Sequence, residues 1–229
     1  MKAYNILHEM LVMVACALGS DILKEVAFLG GCTTGLLLTD KASKEAVRYT
    51  DDVDLITHVI GLSGWIKFQN KIKERGFKES MEDNINCRMR LNDLIVDFMP
   101  DDEKILGYSN RWYGQALKEA KNYKLQDNLT IRLVTPVFFI ATKLEAYKGR
   151  GKNAPLQSRD IEDILNVFDG RTELVKEINQ APLNLRSYIS KELGQLLGQP
   201  DFEYAVQSTA HGHRDREELI FKQLEAVIK

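Results

Sequence analysis

The chain has 229 residues, of which 44% are hydrophobic and 28% are charged, and these values indicate one folded domain or two small ones. The net charge of −2 excludes a uniformly basic protein that coats nucleic acid, although the 31 lysines and arginines leave room for a local basic patch. Three widely spaced cysteines form neither a disulfide framework nor a CxxC metal pair, which favours a reducing compartment.

The first predicted element is a helix over residues 4–18 that ends at Gly19-Ser20 and contains an apolar run at 10–18. The flank of this run contains Glu9 and a single lysine, which is not typical of a signal peptide. The run is also too short to span a bilayer, which takes about 20 residues. We therefore expect a buried helix in a cytoplasmic protein without a membrane segment.

Two strands are predicted next, at 24–29 and 52–56. A helix that begins at Thr33 and an exposed polar loop over 39–50 separate them. The two strands bring a glycine pair and a set of carboxylates into the predicted core.

The second strand carries alternating carboxylates. Because side chains alternate between the faces of a strand, Asp52 and Asp54 project together, Val53 packs behind them, and Asp51 has the wrong parity. Two carboxylates on one face repel each other unless a cation lies between them, and Mg²⁺ prefers such oxygen ligands. The pattern therefore predicts a magnesium site at Asp52 and Asp54.

The glycine pair Gly30-Gly31 ends the first strand, where backbone N–H groups can approach a phosphate closely. Thr33 and Thr34 add hydroxyl groups at a predicted helix start, which also attracts anions. Most glycine pairs are simply turns, so the interpretation depends on the downstream aspartates. With them, the pattern predicts a site for a magnesium nucleoside triphosphate.

An amphipathic helix over 61–76 follows, and then three short strands at 77–81, 85–91 and 94–99. The helix is predicted to bury four apolar side chains. These are Leu62, Trp65, Ile66 and Ile72.

Asp97 interrupts the apolar strand at 94–99, and a buried charge there needs an ion pair or a metal ion. Taken by itself, this sequence pattern fits equally well an edge strand in which Asp97 faces solvent. Together with Asp52 and Asp54, Asp97 favours a two-metal site for phosphoryl transfer, where it would bind the second ion and act as general base.

After two strand fragments within 125–133, the pattern is helical to the end of the chain. It predicts a mixed core over 1–134 and an all-helical region over 135–229. Thr135-Pro136 begins the first of these helices and Ser158 caps the second, over 159–168. Four more helices are predicted, at 173–180, 184–198, 201–209 and 214–228.

The first two of these helices carry charged residues with open interpretations. Lys143 can meet a triphosphate, although helix lysines are usually solvated. Asp160 and Asp163 suit the N-terminal end of a helix without any further role. Basic residues that could contact phosphate, or form only a flexible basic loop, surround the turn between the helices. They are Lys148, Arg150, Lys152 and Arg159.

On these residues the chain resembles the nucleotidyltransferase superfamily, whose members share a DNA-polymerase-β-like core. More closely, it resembles the AbiEii/AbiGii toxin-type nucleotidyltransferases. The resemblance covers about residues 25–180 and is carried by five segments in order. These are Gly30-Gly31, RYTDDVDL at 48–55, VDFMP at 96–100, ATKLEA at 141–146 and SRDIEDI at 158–164.

The resemblance implies an α+β fold with a small mixed sheet flanked by helices, two Mg²⁺ ions, and transfer of a nucleoside monophosphate from a triphosphate such as ATP. It also implies roles for particular residues. These are metal binding by Asp52 and Asp54, phosphate contact at Gly30-Gly31, Asp97 as third carboxylate, and Lys143 and Asp160 as a further functional pair.

Three functions are consistent with these expectations. The first is an enzyme that modifies a hydroxyl of RNA, such as tRNA, or of a protein, as a toxin with a cognate antitoxin. The second is an enzyme that modifies a small cationic molecule such as an aminoglycoside, and the third is a catalytically silent nucleotide- or partner-binding module. An acidic pocket would favour the second, with Glu82, Asp83, Asp101 and Asp102 as candidates.

Overall fold

The computed structural model describes residues 3–80, 83, 86–150 and 154–228. Contacts divide the chain into two compact units. The first consists of Met1–Thr33 and Arg48–Thr135, and the second of Thr34–Val47 and Pro136–Lys229. The predicted domain boundary after residue 134 stays a prediction, and residues 34–47 group with the helical C-terminal region.

The first unit contains a six-stranded mixed sheet in the order β3-β4-β2-β1-β6-β5. β1 pairs with β6, and β2 with β4, in parallel, while the other neighbours are antiparallel. The predicted α+β class, with a mixed sheet, flanking helices and a helical C-terminal region, is confirmed. The strands are β1 (Val26–Leu29), β2 (Asp52–Thr57), β3 (Arg88–Leu91), β4 (Leu94–Pro100), β5 (Lys121–Gln126) and β6 (Leu129–Leu133).

The helices are shared between the units. The first unit has α1 (Ala3–Ile22), α4 (Gly61–Glu74), α5 (Glu103–Leu106) and α6 (Tyr113–Glu119). The second has α2 (Thr34–Leu37), α3 (Lys41–Glu45), α7 (Pro136–Gly149), α8 (Arg159–Gly170), α9 (Leu174–Gln180), α10 (Leu183–Leu197), α11 (Pro200–Thr209) and α12 (Arg214–Ile228). Short 3₁₀ turns occur at Gly31–Thr33 and Pro155–Gln157.

Helix α1 is 20 residues long and passes, by length and composition alone, as a possible membrane span. The expectation of a segment too short to span a bilayer concerned only the apolar run at 10–18, which is one part of this longer helix. Gly19 interrupts it at the predicted end, with φ 72° and ψ 167°. One face is buried in the first unit, as in a core helix of a globular fold. The buried residues are Leu7, Met10, Leu11, Val14, Ala15, Leu18 and Ile22.

The buried face of α4 differs from the prediction. Trp65 and Ile72 are buried as expected, but Leu62 and Ile66 are exposed. Phe68 completes the buried stripe, where its ring packs edge-on against Phe98 of β4. Leu62 and Ile66 lie outside this stripe.

The exposed loop predicted over 39–50 was wrong in part, because it contains α3 and the buried side chain of Ser43. Asp40 caps α3, since its carboxylate accepts a hydrogen bond of 2.7 Å from the Ser43 N–H. The Thr39 and Asp40 N–H groups also donate to the Gly170 carbonyl of α8. These bonds attach the segment to the second unit.

The strand predicted at 77–81 is reduced, among the described residues, to one bridge between Lys78 and Arg90. The next strand begins at Arg88, and the predicted positions Met81 and Ile85 lie outside the described residues. The C-terminal helices begin and end close to their predicted limits.

Candidate metal centre

Three aspartates meet on the two parallel central strands. The register of β2 and β4 places Asp54 opposite Asp97, and Asp52 lies two residues before Asp54 on the same face. One carboxylate oxygen from each aspartate lies within 4.8 Å of the other two. The strand alternation that predicted this face places Val53 and Leu55 in the core behind it.

Asp97 is only 8% exposed, and β4 lies between β3 and β2. The alternative in which Asp97 faces solvent on an edge strand is therefore wrong. A carboxylate at this position needs a cation or hydrogen-bond donors.

Arg88 supplies such a cation, and the sequence prediction missed it. Its Nε and Nη2 each donate a hydrogen bond of 2.8 Å, to Oδ1 and Oδ2 of Asp97. These bonds raise the pKa of the Arg88 guanidinium, so it stays charged. The signal was available in the sequence, because a two-residue loop at Asn92-Asp93 sets the hairpin register that pairs Arg88 with Asp97.

The cluster brings three carboxylates together, and Arg88 pairs with one of them, Asp97. Carboxylates grouped in this way favour a divalent cation. Asp52 also accepts a hydrogen bond from the Thr50 hydroxyl. The donor set of clustered carboxylate oxygens therefore fits Mg²⁺, and the predicted role in metal binding stays a prediction.

Gly30 provides the space that Asp54 occupies. A β-carbon at Gly30 would lie 2.6 Å from Cγ of Asp54, and Gly30 has a φ of +79°, which favours glycine. The Thr33 hydroxyl donates a 2.8 Å hydrogen bond to the Gly30 carbonyl, and so holds this turn. The space needed by Asp54 is thus one reason for a glycine at position 30. The predicted approach of a phosphate would be a second reason.

The other residues predicted to contact phosphate are Gly31 and Thr34. Both are buried, Gly31 in the 3₁₀ turn and Thr34 at the start of α2 in the second unit. The Thr34 hydroxyl has no hydrogen-bond partner among the described residues. Their contact with a nucleotide stays a prediction.

Two buried thiols lie within the electrostatic influence of the aspartates. Burial raises the pKa of Cys32 well above its ordinary value, and the charges of Asp54 and Asp52 raise it further. Burial, followed by the charge of Asp97, raises the pKa of Cys87 to about 11. Both thiols are therefore protonated at neutral pH and add no negative charge to the cluster.

Lys143 and Asp160 lie together in the second unit. Lys143 Nζ is 3.2 Å from Asp160 Oδ1 and 2.7 Å from Asp163 Oδ2. Arg150 Nη1 is 2.7 Å from Asp160 Oδ2. The Lys143 side chain is 12% exposed and both aspartates are buried, so the interpretation of Lys143 as a solvated helix lysine is wrong. A shared function of this group and the aspartates of β2 and β4 stays a prediction.

The basic residues predicted to contact phosphate have different surroundings. Lys148 Nζ lies 2.9 Å from Glu192 Oε1, and Arg150 is paired with Asp160. Arg159 is exposed at the start of α8, and Lys152 lies outside the described residues. Two of the four are thus held by acidic residues of the second unit.

The acidic residues that would favour a small cationic substrate have local partners. Asp83 accepts two hydrogen bonds from Arg90, and Asp101 lies 2.8 Å from His58 Nδ1. Asp102 caps α5, and Glu82 lies outside the described residues. These three described residues have partners within the chain.

No protein-family model and no curated protein matches the sequence. The chain is therefore characterised by its fold and by its aspartate cluster. It is a mixed α/β protein with three carboxylates converging on the central strands of its sheet.

Proposed function

We propose that the protein is a Mg²⁺-dependent nucleotidyltransferase, in which a hydroxyl group of RNA, such as tRNA, or of a protein receives a nucleoside monophosphate from a nucleoside triphosphate. The observation that carries this proposal is the grouping of Asp52, Asp54 and Asp97 within 4.8 Å on adjacent parallel strands. The grouping of three carboxylates supports binding of divalent cations there.

Asp52 and Asp54 would bind the first metal ion. Asp97, the third carboxylate, would bind the second ion. When bound, Mg²⁺ neutralises triphosphate charge and lowers the pKa of an attacking hydroxyl. Each Asp97 oxygen accepts one hydrogen bond from Arg88 and retains a second lone pair. The pairing with Arg88 therefore leaves a lone pair on each Asp97 oxygen for a further contact.

In the proposed reaction, the acceptor oxygen forms a bond to the α-phosphorus, and the bond from that phosphorus to the β-phosphate bridging oxygen breaks. Pyrophosphate leaves with the bonding electrons, and the hydroxyl proton passes to Asp97. The turn at Gly30-Gly31, with Thr33 and Thr34, would contact the phosphates. Lys143 and Asp160 would form the further functional pair.

The biological setting follows only from the toxin-type resemblance. We propose a cytoplasmic enzyme, with a cognate antitoxin if its acceptor is essential to the cell. No observation favours the small-molecule alternative, because Asp83, Asp101 and Asp102 have partners within the chain.

One observation favours a catalytically silent nucleotide- or partner-binding module as the second candidate. The Arg88 guanidinium already provides Asp97 with a cation, which reduces the need for a metal ion at this carboxylate. Such a module would bind nucleotide or partner without transfer.

A transfer assay distinguishes the two candidates. It measures the label transferred from α-labelled ATP, CTP, GTP or UTP to total RNA and to a protein lysate in the presence of Mg²⁺. Asp54→Asn is expected to abolish labelling, while the exposed Asp93→Asn is the matched control and should label like the wild type. Label on RNA or protein that depends on Asp54 supports the transferase and identifies its nucleotide. Nucleotide binding without label supports the silent module, and equal labelling by Asp54→Asn rules out the proposed site.

A further inference from the structure

Arg88 donates one hydrogen bond to each carboxylate oxygen of Asp97. The two hydrogen bonds are each 2.8 Å and run in parallel from Nε and Nη2, the strongest arrangement that arginine makes with a carboxylate. The positive charge of Arg88 is thereby placed directly beside the proposed metal ligands. A divalent cation on the same oxygens would be repelled by it.

A second carboxylate lies close to Arg88. Asp83 Oδ1 is 3.9 Å from Arg88 Nη1, while Arg90 holds the Asp83 carboxylate through hydrogen bonds of 2.8 and 3.1 Å. Arg88 therefore has an alternative acidic neighbour if its bonds to Asp97 are broken. Its side chain is 20% exposed, which leaves the guanidinium partly solvated.

We propose that Arg88 is a positioning residue that competes with a divalent cation for Asp97. In this scheme the first cation binds at Asp52 and Asp54, and Asp97 becomes a ligand only when the guanidinium moves away, toward Asp83. The inference rests on the proposed function, since it concerns the same metal site. It assigns the Arg88 ion pair a regulatory effect on metal occupancy.

The test is a direct titration of the metal-free 229-residue chain with Mn²⁺. Binding is monitored by calorimetry and by the electron paramagnetic resonance signal of free Mn²⁺. Arg88→Gln is expected to bind Mn²⁺ about tenfold more tightly than the wild type, or to bind one additional ion, because the competing charge is gone. Arg75→Gln removes the same charge from an exposed pair with Asp21, and is expected to stay within about twofold of the wild type.

A third variant identifies Asp97 as the ligand gained. In the double variant Arg88→Gln/Asp97→Asn, the increase in affinity should disappear. Arg88→Lys keeps the charge but loses the paired hydrogen bonds, so it should fall between the wild type and Arg88→Gln. If circular dichroism shows that Arg88→Gln does not fold, Arg88→Lys replaces it in the titration.

The outcomes separate this inference from the proposed function. Wild-type binding that is lost in Asp54→Asn, with no gain in folded Arg88→Gln or Arg88→Lys over Arg75→Gln, overturns the role of Arg88 and leaves the metal site intact. Absence of specific Mn²⁺ binding in the wild type and in both Arg88 variants overturns the metal site and the inference together.

Discussion

The carboxylate of Asp54 occupies the space where a β-carbon at Gly30, the residue that follows β1, would lie. Leu29, the last residue of β1, is the register partner of Asp54, so the chain turns at Gly30 immediately beside the carboxylate. A β-carbon at Gly30 would lie 2.6 Å from Asp54 Cγ and 2.8 Å from its Cβ. The lack of a side chain at Gly30 thus determines where Asp54 can lie.

Gly30→Ala is expected to displace Asp54 and to destabilise the fold. The left-handed backbone alone costs about 1–2 kcal/mol for a residue with a β-carbon. The steric conflict with Asp54 adds to this, and we expect Mn²⁺ affinity to fall by about tenfold or more. Urea denaturation and Mn²⁺ titration of the same preparations measure the two effects.

Gly107→Ala is the control, because Gly107 also has a left-handed φ of +76° but has open space where its β-carbon would be. It should show the backbone cost without a change in Mn²⁺ affinity. If folded Gly30→Ala binds Mn²⁺ like Gly107→Ala, the Gly30 turn does not position a metal ligand.

Metal binding is expected to stabilise the wild-type chain. At a free Mg²⁺ concentration of 100 times Kd, a ligand that binds only the folded state adds about 2.7 kcal/mol to the free energy of unfolding. For a chain of 229 residues this corresponds to a rise in Tm of about 5–10 °C over the value in EDTA. Differential scanning calorimetry with and without EDTA measures this shift.

Asp54→Asn should abolish this rise. In EDTA the same variant should be slightly more stable than the wild type, because one of the mutually repelling carboxylates has been neutralised. The exposed Asp93→Asn should retain the full rise. An equal rise in Asp54→Asn would mean that Mg²⁺ stabilises the chain at another place.

The sequence was sufficient to predict the face on which Asp52 and Asp54 lie, because strand alternation is a local rule. The proline at the start of α7 is a local signal of the same kind. The two strand fragments predicted within 125–133 are present, although β5 begins earlier, at Lys121. The pairing of Arg88 with Asp97 follows from the Asn92-Asp93 loop only once β3 and β4 are recognised as a hairpin. That step requires the strand limits, which local patterns locate poorly.

Packing against distant residues explains the predictions that were wrong. Phe68, rather than Leu62 or Ile66, faces the core because the ring of Phe98 lies beside it. The Lys143 side chain is only 12% exposed because Asp160 and Asp163, on another helix, both contact its ammonium group. Neither neighbour is visible in the periodicity of one segment.

Lys143→Met is expected to destabilise the chain by about 3–5 kcal/mol, because it leaves buried carboxylates with fewer positive partners. Asp163 is fully buried and lies 2.7 Å from Lys143, so it loses a close cation. Asp160 retains Arg150. Urea denaturation at pH 7 measures the loss in free energy of unfolding.

Lys124→Met is the matched control for this prediction. Lys124 pairs with Asp127 at the surface, where the two side chains are 65% and 95% exposed, and such a pair contributes about 1 kcal/mol or less. Similar losses in the two variants would show that the Lys143 cluster is not a buried ion-pair network.

Asp40→Ala is expected to cost about 1 kcal/mol at pH 7, the usual contribution of an N-cap. The cost should depend on pH. Hydrogen bonds from the Ser43 side chain and then its backbone N–H hold the pKa of Asp40 below its ordinary value of 3.8. A lowered pKa means that the folded chain binds fewer protons than the unfolded chain, so this stabilisation is present above pH 3.8 and is lost as the pH falls through the lowered pKa.

Urea denaturation of the wild type and Asp40→Ala at pH 7, 5 and 3 measures this dependence. The difference between them should be similar at pH 7 and 5 and smaller at pH 3, where protonation begins to remove the carboxylate acceptor from the wild type. Asp127→Ala, at a highly exposed aspartate, should differ little from the wild type throughout. A difference for Asp40→Ala that stays constant down to pH 3, or grows, would mean that the ionised carboxylate is not the source of the stabilisation, and that the cap acts through the shape of the turn alone.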